Sequence, residues 1–206
     1  MNTTNVRVGV LAAFLAISVG PSDASAAAAA KVVVAVHLRA PEFEVMEAKY
    51  RVFYVTGEKK TIPLQGYDFK AALLDELLSV LAEDKRMEWR PAAASEAVDV
   101  VALYDGKALP PGWADVDRIL LVDVFEYGVQ VKPGQDQFFI ICRMKLIARA
   151  SGKQLWQEKR LFERIDLTGK LEELQVDNQK GLKEGMNRVL EKVCSKVAGE
   201  LLRARF

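Results

Sequence analysis

The chain has 206 residues, half of them hydrophobic and 28% charged, which is the balance of a folded globular protein and not of a disordered one. Its 29 basic and 28 acidic side chains leave a net charge of +1, without the basic excess that nucleic-acid-binding domains carry. One histidine and two cysteines are too few for the usual zinc sites, which need several His or Cys ligands at set spacing.

Arg7 and the free amine make a positive start, Val8–Gly20 an apolar run, and Pro21 a helix break. Ala24-Ser25-Ala26 then supplies the small-x-small pattern that a signal peptidase accepts. The expectation is a cleavable signal peptide over residues 1–26 and a mature chain, 27–206, delivered to the periplasm. The apolar run is shorter than the ~20 residues that span a bilayer, so it is not expected to be a membrane anchor. No cysteine lies near Pro21, so the chain is not expected to be a lipoprotein. Roughly 180 residues then remain to fold, enough for one domain with a sizeable core. No later segment is apolar enough to suggest a membrane span.

Lys31–Leu38 is β-branched and almost wholly apolar, the pattern of a strand covered on both faces, and Pro41 ends it. Tyr50–Val55 and Thr61–Leu64 read as a hairpin whose turn is Gly57-Glu58-Lys59-Lys60. Asp68 is placed to cap a helix from Phe69 to about Glu83, with Phe69, Leu73, Leu77 and Leu81 recurring every fourth residue. Met87–Arg90 is a short strand stopped by Pro91, and Ser95 is placed to cap a second helix, Glu96–Tyr104. After the loop signal Pro110-Pro111-Gly112-Trp113 come three strands: Asp117–Val131, Phe138–Ala148 and Gln154–Ile165. Their connections are too short for crossovers, so they form an antiparallel meander. A helix over Asn178–Arg203 closes the chain, with Leu182, Met186, Val189, Leu190, Val193, Cys194, Val197 and Leu201 as its apolar stripe. The expected fold is a single α/β domain: a mixed sheet, with early βαβ units and a late antiparallel meander, packed by two or three helices.

Chemistry-bearing residues are sparse. His37 is the only histidine and lies in an apolar strand without a serine or cysteine motif beside it, so its expected role is structural. No G-x-G-x-x-G or phosphate-loop pattern occurs. Asp123 and Glu126 stand three apart in one strand and are expected on opposite faces. Glu42, Glu44 and Glu47 read as a solvated acidic loop. No catalytic residue, metal site or cofactor is expected, and the chain is not expected to be an enzyme. Cys142 and Cys194 fall on apolar faces; export favours one disulfide between them, and buried free thiols are the alternative. Trp113 is either tucked over a core edge or offered with Pro110 and Pro111 as a partner contact.

Ala114–Val122 and the run Met144–Trp156 (MKLIARASGKQLW) resemble a strand and a strand–turn–strand of a group of bacterial envelope proteins. The group comprises the curli secretion-channel family, the TolB amino-terminal domain and the outer-membrane activators of penicillin-binding proteins. The resemblance implies an α/β fold like the anticodon-binding domain of tRNA synthetases. It also implies a non-catalytic assembly or interaction role in envelope biogenesis or transport, with another envelope protein as partner. A small-ligand-binding protein and a hydrolase with an unrecognised site are the rival readings.

Overall fold

The computed structural model describes residues 28–51, 54–93, 99–104, 113–132 and 135–204. Residues 1–26, Pro110, Pro111 and Ser95 lie outside this set. In chain order the elements are β1 (Ala30–Leu38), β2 (Phe43–Arg51), β3 (Tyr54–Ile62), α1 (Phe69–Leu81), β4 (Met87–Pro91), α2 (Val100–Tyr104), β5 (Arg118–Val131), β6 (Gln137–Ala148), β7 (Gln154–Asp166), α3 (Leu171–Leu174) and α4 (Val176–Arg203). They form the expected single α/β domain, built on one mixed seven-stranded sheet.

β5 is the spine. Its 14 residues are long enough for two strands to share one edge. β1 runs parallel to it from Val32 opposite Arg118 to Leu38 opposite Val124, and β2 resumes the same direction from Glu44 opposite Gly128. Pro41 lies in the link between them, where its missing N–H costs the ladder nothing. β6 pairs antiparallel with the other edge of β5, and β7 with β6, giving the meander. β4 lies parallel against the free edge of β1, and α1 lies between the two in sequence.

The sheet is covered unequally. On one face α1 and α4 pack over alternating residues of the central strands, among them Val34, Leu120, Val122, Ile140 and Met144, all fully buried. Asp68 caps α1 by accepting a hydrogen bond from the Ala71 N–H, and Glu163 of β7 ties down α4 through Lys192 and Lys196. Gly185 lets α4 approach the sheet closely: a Cβ there would overlap the ring of Phe138. At Gly128 a Cβ would overlap the Glu44 carbonyl of β2, so only glycine allows β2 to join this edge. At the start of α4, Asp177, Asn178 and Gln179 adopt left-handed φ values of 52, 56 and 61°. The Gln179 side chain offsets this strain by accepting from Gln65 N–H and donating to the Pro63 carbonyl.

Among the described residues, the other face is covered over only part of its width. α2 and the turn at Trp113 close a second, smaller core with Val33, Ala35, Ile119, Leu121 and Ile147. α2 is five residues long, and the indole of Trp113, fully buried, fills the space it leaves. Trp113 is therefore not an exposed partner contact, which corrects that expectation. The expected disulfide is also absent: Cys142 and Cys194 are both buried free thiols in the main core. Burial pushes both thiols up, Cys142 to about 12, as expected of cysteine acting as a small hydrophobe.

The hairpin turn differs from expectation as well. Gly57–Lys60 lies inside β3, with Gly57 opposite Ala48 and the ladder continuing to Arg51 opposite Tyr54. Ion pairs from Lys59 to Glu44 and from Lys60 to Glu47 hold this register, so these acids belong to a strand and not to a loop.

Candidate functional site

The uncovered part of the second face carries the densest polar chemistry of the described residues. Asp123 is the centre, an acid at the heart of an apolar strand and fully buried. The β1–β5 register sets His37 directly opposite it, and the β5–β6 register sets Arg143 opposite on the other side. His37 Nδ1 lies 3.0 Å from Asp123 Oδ1. Arg39 approaches through Nε and, at 2.6 Å, through Nη2, and Arg143 donates from Nε at 2.9 Å. Burial pushes the Asp123 carboxyl up, but the hydrogen bonds from Arg39, His37 and Arg143 outweigh it and hold the group below its ordinary range. An ionised carboxylate can only accept, so Nδ1 of His37 carries the proton in this pair.

Aromatic rings complete the cluster. The Arg143 guanidinium lies 3.9 Å from the Tyr104 ring centroid, and that of Arg39 lies 4.4 Å from Phe125. Phe125 stands at a β-bulge, where β5 steps from Val124 opposite Cys142 to Glu126 opposite Ile141. The extra residue reverses the alternation, so Glu126 shares the face of Asp123 instead of opposing it. There Glu126 pairs with Lys59 at 2.6 Å. Strand parity alone gave the wrong face because a bulge leaves no mark in the apolar pattern.

Beside the cluster runs an apolar trough. One stretch is lined by Met46, Gln130, Phe139, Ile141, Arg160 and Phe162. The next is lined by Phe125, Glu126, Ile141, Lys159 and Arg160, so Ile141 and Arg160 join the two. Phe139 is buried on its floor, and Phe162 is 45% exposed on its rim.

His37 is thus gathered into a site with Asp123, Arg39 and Arg143, a grouping that the sequence analysis did not anticipate. The available signal was an acid flanked by Val122 and Val124 in an apolar run, with arginines on the neighbouring strands. Cys142 and Cys194 lie in the main core, and Trp113 in the smaller one, away from the solvent. Asp117 accepts from the Lys31 N–H at 2.8 Å. Among the described residues no His/Cys/Asp/Glu group is arranged to hold a metal, and no helix is long and apolar enough to cross a membrane.

No family model matches the chain, and no curated protein matches it. Among solved structures it is similar to protein XCC0632 from Xanthomonas campestris, of family DUF330, at a TM-score of 0.56 and 12% identity, with 84% of each chain covered. Weaker overlaps include the PelC dodecamer from Paraburkholderia phytofirmans, at 0.43 and 15%, over 87% of this chain and 91% of that one. Lipoprotein GNA1162 from Neisseria meningitidis overlaps at 0.42 and 16%, over 84% and 98%. At such identities the likeness to the Xanthomonas protein concerns the fold alone.

Proposed function

We propose that this chain is an exported, non-catalytic envelope protein that works by holding another protein of an assembly or transport system. The observation that carries this reading is the β2–β3 hairpin. β2 pairs with β5 only from Glu44 to Glu47, where β5 ends at Val131, while the β2–β3 ladder continues to Arg51 opposite Tyr54. The outer half of the hairpin therefore projects past the sheet as a two-stranded arm. Two isolated strands are marginally stable in water, so such an arm gains order by lying against a partner. Its sequence, with Tyr50, Tyr54 and Val55, carries aromatic and branched residues of the kind that anchor interfaces. The resemblance at the meander supports the same reading.

The site chemistry agrees with contact and not turnover. Asp123 is held by His37 and two arginines, and the two thiols are buried with raised pKa values. The test is to replace residues 48–57 by Asn-Gly, joining Glu47 to Glu58 through a two-residue turn that suits a hairpin. The trimmed protein is expected to keep its melting temperature and lose the partner that the full chain retains in cross-linked envelopes. Equal retention by both would reject the arm as the contact.

A further inference from the structure

The geometry points to a binding site for an anionic amphiphile, a phosphate or carboxylate head on an alkyl tail, in the trough on the half-covered sheet face. This inference does not depend on the arm. Its first support is apolar: Met46, Phe139, Ile141 and Phe162 make a continuous strip beside solvent, about 150 Å³ in its first stretch, which runs on into a second of about 340 Å³ beside Phe125, the size of a small-molecule site. The second is charge. Lys159 and Arg160 rim the trough, and their side chains have no acidic partner among the described residues. Glu126 also lines it, and that carboxylate is drawn to Lys59, which it shares with Glu44. At the Phe125 end, the buried carboxylate of Asp123 fixes the guanidinium groups of Arg39 and Arg143 in place. Lys159 and Arg160 thus stand beside an apolar strip, the arrangement that a charged head and an alkyl tail require together.

An alkyl tail suits this floor better than an extended peptide does. The trough lies on the face of β5, β6 and β7, over side chains and not along a strand edge; β5 and β6 are paired on both edges and β7 on its β6 edge. A peptide strand laid there would lose water from its N–H and C=O groups and gain no backbone partner, at a cost that an alkyl chain does not incur.

The test is calorimetric titration of the mature protein with dodecyl phosphate and with laurate, each below its micellar concentration. Dodecyl maltoside and inorganic phosphate serve as the controls for tail and head. Dodecyl phosphate and laurate are expected to bind, the maltoside at least about tenfold more weakly, and inorganic phosphate not at the same concentrations. A double variant, Lys159→Gln with Arg160→Gln, is expected to weaken dodecyl phosphate by about tenfold or more with an unchanged melting temperature. Phe162→Ser is expected to weaken both amphiphiles alike. The hairpin-trimmed chain should bind as the full chain does, which separates this inference from the proposed partner contact. Equal binding of the maltoside, equal binding of inorganic phosphate, or no binding of either amphiphile would overturn it. So would a Glu-rich amphipathic helix that binds the trough when dodecyl phosphate does not, which would assign the face to a protein.

Discussion

Replacing Asp123 by asparagine removes the one negative charge that Arg39, Arg143 and His37 share. Hydrogen bonds to charged groups contribute about 1.5–3 kcal/mol each, and breaking a buried ion pair costs about 3–5 kcal/mol. Two features reduce the loss. Arg39 and Arg143 keep 38% and 21% side-chain exposure, so water takes up part of their solvation, and asparagine retains one acceptor. The expected cost is about 2–3 kcal/mol at pH 7, or about 4–12 °C in melting temperature for a domain of this size. The effect carries a pH signature. The folded-state pKa of Asp123 is depressed, so its contribution is complete above the unfolded carboxylate value near ~4 and is lost as pH falls through the folded value. Asparagine does not titrate, so the gap between the two proteins should close under acid. Urea unfolding followed by tryptophan fluorescence at pH 7, 5 and 3 measures it. A gap below about 0.5 kcal/mol at pH 7, or one unchanged at pH 3, would refute the electrostatic account of the cluster.

Three further outcomes follow from the packing. Trp113→Ala should destabilise the domain by about 3–5 kcal/mol in denaturant titration, since the indole is a core residue; near-neutral stability would restore it to the surface. Gly185→Ala should cost about 1–3 kcal/mol despite the better helix propensity of alanine, because the methyl meets Phe138. Gly199→Ala on the same helix meets open space and should gain up to about 1 kcal/mol, so a matching loss at both positions would contradict the account. A thiol reagent should find no accessible cysteine in the native protein and two after unfolding without reductant; none after unfolding would mean that Cys142 and Cys194 are bridged.

The elements were legible wherever the hydrophobic period was long and clean. The four-residue recurrence from Phe69 to Leu81 is α1, and the alternation from Phe138 to Leu146 is one buried face of β6. What was hidden depends on pairing between distant segments. Nothing local shows that β1 and β2 share one edge of β5, and it is this sharing that leaves the arm projecting. Gly57 reads as a turn residue, yet ion pairs across the hairpin place it inside a strand. The bulge at Phe125 moves Glu126 to the face of Asp123, and His37 meets Asp123 across an interval of 86 residues that no periodicity records. The two cysteines showed their apolar faces in the sequence, but not whether the sulfurs would bond.

The central claim is that this chain acts by contact through the projecting hairpin. Photo-cross-linking in living cells tests it most directly, with the reactive residue placed at Lys49 or Thr56 on the arm and at Lys180 or Glu191 on α4. The account predicts a discrete protein adduct from the arm positions and none from the helix. Adducts from the helix positions alone, or from none of the four, would contradict it.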